Sequence, residues 1–262
     1  MSTGSNVLPR LAVLACTLAT TIGLTAAAPA AAEDDPRIVG GTRASIGRYP
    51  WTVFLTTSSG FQFCGGTLAA RNKVVTAAHC ANGLSPGSLR VVWLREDKYS
   101  WAGVTANVTR VWVHPSYQSA TRGYDVAVLT LDRWLNSPVL PLASSADVTL
   151  YRPATSTTIL GWGTTSSGGS SSRYLLKATV PVTSDSSCRT AYPQYTPVHM
   201  VCAGYPQGGT DTCQGDSGGP LVAGGKLIGI TSWGRGCALP GYPGVYTRVA
   251  SYYPVLWQQI TS

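Results

Sequence analysis

Charged residues are scarce in this chain, and no cluster of basic residues occurs in it. Only 11% of the 262 residues are charged, although the formal net charge is +8 at pH 7. The 19 basic residues are scattered singly, with no run of Lys or Arg. Because affinity for a phosphate backbone requires clustered cations, this distribution disfavours a nucleic-acid partner.

Long apolar runs are also missing, apart from one at the beginning of the chain. Arg10, the apolar run 11–28 and the alanine-rich cleavage sequences after it predict a signal peptide over residues 1–32. The alternative, a transmembrane helix, is disfavoured because the run is short, contains threonines and is followed by acids instead of a basic flank. We therefore expect a secreted, extracellular protein with no membrane partner.

No two cysteines have the close Cys-x-x-Cys spacing of a zinc site. The chain has seven cysteines, and Cys16 leaves with the signal peptide. The even remainder is typical of disulfides in an exported protein, although the sequence alone leaves the pairing open. We expect no metal and no cofactor, with calcium left undecided because acids are sparse. The remaining cysteines are Cys64, Cys80, Cys188, Cys202, Cys213 and Cys237.

Short strand-like runs between clusters of Ser, Gly, Asn and Pro predict an all-β protein. A polar connector at 137–147 divides these runs into two groups, and residues 164–172 predict a mobile exposed loop. Residues 252–260 predict a helix with Ser251 as a possible N-cap. These patterns suggest two small barrels or sandwiches. The predicted strands are Trp51–Thr56, Lys73–Ala77, Leu89–Trp93, Val108–Val113, Val126–Leu131, Ser156–Leu160, Tyr174–Val182, Leu221–Val222, Leu227–Ser232 and Gly244–Val249.

The strongest chemical signal is the hexapeptide 215–220, Gly-Asp-Ser-Gly-Gly-Pro. A serine between glycines can sit on a tight turn with its hydroxyl exposed, and backbone N–H groups beside it can approach an oxyanion closely. A plain glycine-rich turn is the alternative. The fragment also matches the Gly-x-Ser-x-Gly elbow of lipases and esterases.

The order of candidate residues separates these alternatives. The elbow requires a histidine after the serine, whereas His79, His114 and His199 all precede Ser217. A subtilisin-type order requires an acid before the histidine, but the first acid of the mature chain is Glu96. The order histidine, acid, serine remains open.

Two residues are favoured as partners of the serine. His79 is next to Cys80, whose disulfide would pin the backbone of a general base. We interpret the other two histidines as structural or surface residues. Asp125 precedes an apolar run, so its carboxylate is expected to be partly buried and to stabilise an imidazolium. Asp132 and Asp147 have polar surroundings, but spacing alone does not exclude them.

Several motifs, in their order and spacing, resemble the trypsin family of serine endopeptidases, in particular the secreted bacterial trypsins. The resemblance covers essentially the whole chain from Ile38 onward. The motifs are Ile-Val-Gly-Gly at 38–41, Thr-Ala-Ala-His-Cys at 76–80, Asp-Val-Ala-Val-Leu at 125–129, Asp-Thr-Cys-Gln-Gly-Asp-Ser-Gly-Gly-Pro at 211–220 and Ser-Trp-Gly at 232–234.

The resemblance implies a fold and a mechanism. It implies two six-stranded antiparallel β-barrels around an active-site cleft, with a C-terminal helix and halves at roughly 38–145 and 146–262. It assigns Ser217 as the nucleophile, His79 as the base and Asp125 as the residue that orients the base. The backbone N–H groups of Gly215 and Ser217 would form the oxyanion hole.

The same resemblance implies substrate specificity and disulfide pairing. Asp211 would lie at the base of the primary pocket and favour Arg or Lys before the scissile bond. The other substrate-binding residues would be Ser232, Trp233, Gly234 and Gly244. Disulfides would join Cys64 to Cys80, Cys188 to Cys202 and Cys213 to Cys237.

The resemblance also implies activation by cleavage. Residues 33–37 would be an activation propeptide, and the cut would fall between Arg37 and Ile38. The new ammonium of Ile38 would then pair with Asp216, since a buried carboxylate requires a cation. We expect a monomer that acts on protein and peptide substrates and that protein inhibitors could bind. The rival hypotheses are a trypsin-fold binding protein without catalysis and an esterase.

Overall fold

The structure is a computed structural model, and it describes residues 1–4 and 38–262. Apart from its first four residues, the predicted signal peptide lies outside the described residues. The predicted propeptide 33–37, which includes Arg37, lies outside them as well. Among the described residues, no helix has the length and apolar character needed to span a bilayer.

Strands dominate residues 38–262, as predicted. The strands are β1 Thr42–Arg43, β2 Thr52–Thr57, β3 Gln62–Ala70, β4 Lys73–Thr76, β5 Leu89–Trp93, β6 Val104–Val113, β7 Ala127–Leu131, β8 Ser156–Gly161, β9 Leu176–Pro181, β10 Met200–Ala203, β11 Pro220–Ala223, β12 Lys226–Trp233 and β13 Gly244–Arg248. The helices are α1 Ala78–Ala81, α2 Asp185–Ala191 and α3 Val249–Thr261, and short 3-10 turns cover Pro86–Ser88, Ala120–Arg122 and Ser145–Tyr151.

The first half forms a closed antiparallel barrel in the order β2-β3-β4-β7-β6-β5. Side chains alternate between the inside and the outside of a strand, and on β2 the inner residues Val53 and Leu55 are fully buried. They join Leu68, Val91 and Leu129 in one apolar cluster. The expected all-β class and this barrel are confirmed.

The second half is a sheet in the order β1-β9-β8-β11-β12-β13-β10. It differs from the expected six-stranded barrel because β1 pairs with β9 as a seventh strand. Among the described residues, β9 and β10 meet only where Val182, just after β9, forms an isolated bridge to Ala203. The sheet therefore curls toward closure without a continuous ladder between these two strands.

The C-terminal helix α3 is confirmed, but it begins earlier than predicted. Its first residue is Val249 because β13 runs directly into the helix, so Ser251 lies inside it and is not the N-cap. The N-cap position belongs to Arg248, which makes no side-chain capping bond. Leu256 and Ile260 of α3 pack in the same apolar cluster as the first barrel.

Candidate active site

His79 and Asp125 meet because two neighbouring strands of the barrel place them side by side. Strands β4 and β7 pair with Thr76 opposite Ala127. His79 follows β4 within the single turn α1, and Asp125 lies two residues before the start of β7. The Asp125 carboxylate accepts hydrogen bonds from the His79 backbone N–H at 2.9 Å and from its ring Nδ1 at 2.8 Å. A carboxylate oxygen can only accept, so this contact assigns the proton of the neutral imidazole to Nδ1 and leaves Nε2 to accept one.

Ser232 donates a further hydrogen bond to the Asp125 carboxylate. Its Oγ lies 2.5 Å from Oδ2 of Asp125, and Thr247 Oγ1 donates to the Asp125 backbone carbonyl at 2.8 Å. Both donors belong to the second sheet, whereas Asp125 belongs to the first barrel. The sequence predicted Ser232 as a substrate-binding residue and did not predict this contact. Asp125 is fully buried, so these bonds satisfy polar groups that water cannot reach.

Ser217 lies on a tight turn that packs against the segment leading into His79. The turn is closed by hydrogen bonds from Asp216 N–H to the Cys213 carbonyl and from Gly219 N–H to the Asp216 carbonyl. A Cβ added to Gly218, whose φ is +80°, would lie 2.6 Å from the Gly65 carbonyl and 3.1 Å from the Ala77 nitrogen. Only glycine allows this approach. Within residues 38–262, no hydrogen bond joins the Ser217 hydroxyl to His79.

The turn also provides two unused N–H donors. Across the described residues, neither the Gly215 N–H nor the Ser217 N–H has a protein acceptor. The Gly215 carbonyl accepts a hydrogen bond from Gln62 Nε2 at 2.9 Å, which fixes the orientation of this peptide group. Gln62 was not predicted from the sequence, because it lies far from Gly215 along the chain.

A cavity of about 170 Å³ opens beside Ser217, and Asp211 lies at its wall. Asp211 is only 5% exposed. It accepts hydrogen bonds from the backbone N–H groups of Thr212 at 2.8 Å and Ala238 at 3.1 Å. Burial raises the pKa of Asp211 to about 7, against the opposing effect of these two bonds. Within the described part of the chain, no basic side chain lies within 4.0 Å of this carboxylate.

Two glycines keep the cavity open. A Cβ added to Gly244 would lie 2.6 Å from Oδ1 of Asp211, so a side chain there would cover the carboxylate. At Gly234 the nearest atoms to an added Cβ are 3.8 Å away, so a methyl group would fit there but would narrow the cavity. Trp233, the last residue of β12, lines the same cavity. The structure therefore brings Asp211, Ser217, Ser232, Trp233, Gly234 and Gly244 together around one opening.

Asp216, next to the serine, is fully buried and points away from that cavity. Its carboxylate accepts hydrogen bonds from the N–H groups of Gly163 at 2.7 Å and Cys213 at 3.0 Å. Burial raises its pKa to about 6. Ile38 is also fully buried and packs in the apolar cluster of the second sheet. Arg37 lies outside the described residues.

The cysteines form disulfides and leave no metal site among themselves. The bonds join Cys64 to Cys80, Cys188 to Cys202 and Cys213 to Cys237, the pairing that the resemblance implied. His79 lies close to the two sulfurs of the first pair. Because those sulfurs are bonded to each other, they are not thiolate ligands, and the group offers only the imidazole.

The other two histidines lie away from the serine, in a cluster of aromatic rings. The His199 ring is 4.4 Å from that of Tyr124 and the His114 ring is 4.8 Å from it. Tyr252 Oη lies 2.9 Å from His199 Nδ1, and burial lowers the pKa of both histidines. Their position agrees with the structural role expected from the sequence.

Comparisons with known proteins agree with this geometry. A family model described as trypsin matches residues 38–256. The chain is 57% identical over 225 residues to a trypsin of Saccharopolyspora erythraea, a match that covers 86% of this chain and 99% of the relative. It is 41% identical over 250 residues to trypsin I-P1 of Gallus gallus, covering 92% of this chain and 95% of the relative.

Proposed function

The chain belongs to the trypsin family of serine endopeptidases, and from this premise we propose that it cleaves peptide bonds after arginine and lysine. The observation that supports this specificity is Asp211, a buried carboxylate beside the serine with no basic partner in the described residues. A guanidinium or ammonium group that enters the cavity would supply the missing positive charge. A neutral side chain would leave the buried carboxylate unpaired, which is costly.

In the proposed mechanism, Ser217, His79 and Asp125 act together on the substrate carbonyl. The Ser217 Oγ attacks the carbonyl carbon while Nε2 of His79 takes the hydroxyl proton. Asp125 holds the proton on Nδ1 and stabilises the imidazolium that forms. The N–H groups of Gly215 and Ser217 bind the negatively charged oxygen of the tetrahedral intermediate.

The intermediate then collapses to an acyl-enzyme. The C–N bond breaks, and His79 gives its proton to the departing amine. Water attacks the ester in the second half-reaction, with His79 taking a proton from the water and returning it to Ser217 Oγ. Trp233 and Gly234 would pair with the substrate backbone as a short strand and hold the scissile bond in place.

We propose that the protein is secreted as a zymogen. The signal peptide 1–32 and the propeptide 33–37 rest on the sequence, since both fall almost wholly outside the described residues. The buried positions of Ile38 and Asp216 support activation by cleavage after Arg37. An ammonium at Ile38 would give the Asp216 carboxylate the cation that a fully buried charge requires.

Small amides that differ only in the residue before the scissile bond test the specificity. Arginyl and lysyl amides should be preferred over tyrosyl and leucyl amides by about 10⁴ in kcat/KM, because charge pairing in a desolvated pocket discriminates at that level. In Asp211→Ser this preference should collapse. Equal hydrolysis of tyrosyl and arginyl amides by the unaltered enzyme would contradict the assignment of Asp211.

A further inference from the structure

Two adjoining cavities lie on the outer surface of the first barrel. Their volumes are about 200 and 190 Å³, and they share Phe54, Gly60 and Lys98 in their walls. Residues Phe54 and Arg90 alternate along β2 and β5 with the inward-facing Val53 and Val91, so their side chains point outward. We call the two together the cationic cavity, defined by Arg90, Arg95 and Lys98 with Phe54, Phe61 and Tyr99.

The charge of the cationic cavity is of one sign. Arg90, Arg95 and Lys98 line it, and no Asp or Glu among the described residues does. Two acidic residues are adjacent in sequence to Arg95 and Lys98, but they form salt bridges with other residues. Glu96 binds Arg43 at 2.7 Å, and Asp97 binds Arg173 at 2.7 Å. Within residues 95–98, both acidic side chains therefore bind residues outside the cavity, whereas both cationic side chains line it.

The cations are held in position by contacts to uncharged groups. Arg90 Nη1 donates to the Gly87 and Leu89 carbonyls, and Arg95 Nε donates to the Ala102 carbonyl at 2.6 Å. Lys98 Nζ donates to Ser171 Oγ at 2.6 Å. These bonds use only part of each donor set. Among the described residues, no carboxylate lies within 4.0 Å of Arg95 or Lys98. Burial lowers the pKa of both, although the charge of Asp216 acts in the opposite direction on Lys98.

The cationic cavity is connected to the candidate oxyanion hole. Gln62 lines it, and the Nε2 of Gln62 donates to the Gly215 carbonyl. On its other side, Gln62 Oε1 lies 3.5 Å from Lys98 Nζ. The cationic cavity shares no lining residue with the cavity that holds Asp211. If the residue before the scissile bond occupies the Asp211 cavity, the chain after that bond leaves in another direction, and Gln62 links the turn at Gly215 to the cationic cavity.

We propose that the cationic cavity is a second substrate site, which binds a carboxylate on the peptide segment after the scissile bond. The inference rests on the proposed endopeptidase function. Arg90, Arg95 and Lys98 would pair with the carboxylate, and Phe61 and Tyr99, each 69% exposed, would pack against the peptide at the rim. The carboxylate comes either from an Asp or Glu side chain or from the C-terminus of the substrate.

The test is a set of peptides with one arginine and a single Asp moved stepwise through the positions after the scissile bond. Each peptide has a matched partner with Asn in place of Asp. One or two adjacent positions should favour Asp over Asn by about five- to tenfold in kcat/KM, the range for partly exposed charge pairs. High salt should weaken the preference. A second pair of peptides separates the two sources of carboxylate. Both have Asn as their last residue at the favoured position, and one has a free C-terminus whereas the other is amidated. A preference for the free C-terminus would identify the terminal carboxylate as the bound group.

Variants locate the effect in the cationic cavity. Arg95→Gln and Arg90→Gln should each reduce the preference for Asp, whereas Arg189→Gln, an exposed residue on α2 with the same change of charge, should not. Hydrolysis of a small arginyl amide, which has no peptide after the scissile bond, should be unchanged in all three. An equal rate for Asp and Asn at every position, or a preference that survives in both arginine variants, overturns the inference. Failure to cleave the small arginyl amide would instead overturn the proposed function.

Discussion

The Ser232 hydroxyl donates a hydrogen bond to the buried Asp125 carboxylate at 2.5 Å, and this bond joins strand β12 of the second sheet to the first barrel. The same Oδ2 atom also accepts from His79 Nδ1 at 2.8 Å. The orientation of the candidate base therefore depends on a residue from the opposite half of the molecule. This arrangement gives Ser232 a positioning role that can be measured.

Ser232→Ala should lower kcat about tenfold or more while changing KM for small arginyl amides much less. The reason is the loss of a hydrogen bond to a charged group, a contribution of about 1.5–3 kcal/mol. The matched control is Thr231→Val, because Thr231 Oγ1 is buried without a hydrogen-bond partner in the described residues. A similar loss of kcat in both variants would mean that the effect is general repacking of β12.

The three residues proposed for catalysis should act as one unit. Ser217→Ala should lower kcat by about six orders of magnitude, the scale of loss when the nucleophile of such a triad is removed. His79→Ala should cost about as much, and the double variant should be no slower than either single one. The measurement requires an active-site titration to exclude traces of unaltered enzyme. Additive losses in the double variant would contradict the proposed proton transfer from Ser217 to His79.

The sequence motifs located the candidate site better than they located the strands. Strand β3 was missed because Gly65, Gly66 and the two alanines Ala69 and Ala70 are poor strand formers. The structure explains these glycines: a Cβ on Gly66 would lie 2.7 Å from Val74 Cγ1, and one on Gly65 would lie 3.0 Å from the Gly219 Cα. Close packing against the serine turn at Gly65, and against the neighbouring strands of the barrel at Gly66, thus requires residues that weaken the strand signal.

Long-range contacts were the other omission. The bonds from Gln62 to Gly215 and from Ser232 to Asp125 join residues more than a hundred positions apart. Neither side chain has a local pattern that indicates its partner. Helix α2, in contrast, carried a usable signal, since the Ser184 hydroxyl caps the Ser187 N–H and Asp185 follows in the first turn.

Asp211 should lower the stability of the folded protein at neutral pH. Its pKa is about 7 in the fold, above the usual value of about 3.9 for an unfolded chain. Between these values the folded state holds a proton that the unfolded state has lost. The free energy of unfolding therefore falls as pH rises from about 4 to about 7.

Asp211→Asn should remove this loss of stability. Its free energy of unfolding should exceed that of the protein with Asp211 by at most about 4 kcal/mol at pH 8 and by little at pH 3.5. Denaturant unfolding in a Ser217→Ala background avoids self-digestion. Asp132→Asn is the control of opposite sign, since the Arg133 guanidinium beside Asp132 lowers the pKa of that carboxyl. Asp132→Asn should lower the free energy of unfolding more at pH 8 than at pH 3.5. A gain for Asp211→Asn that does not depend on pH would contradict burial of a titrating carboxylate.

The last prediction concerns activation and separates cleavage from catalysis. Arg37→Gln removes the basic residue before Ile38, so the chain should not be cut there by an enzyme specific for Arg or Lys. Without the cut, Ile38 has no ammonium, and no basic side chain of the described residues lies within 4.0 Å of the fully buried Asp216 carboxylate, on which Lys98 acts only from a longer distance. The turn that carries Gly215 should then be poorly held, and kcat/KM should fall by at least about a hundredfold, the scale for losing an oxyanion-hole donor.

A free Ile-Val dipeptide tests the ion pair itself. Added to uncut Arg37→Gln protein, it should restore part of the activity, because its ammonium can pair with Asp216 and its isoleucine can fill the apolar site of Ile38. An acetylated dipeptide, which has no ammonium, is the matched control and should restore none. In Asp216→Asn/Arg37→Gln the free dipeptide should lose its effect, since no carboxylate remains to bind it. N-terminal sequencing must accompany each assay. An uncut protein with full activity would contradict the zymogen proposal, and rescue by the acetylated dipeptide would contradict the ion pair with Asp216.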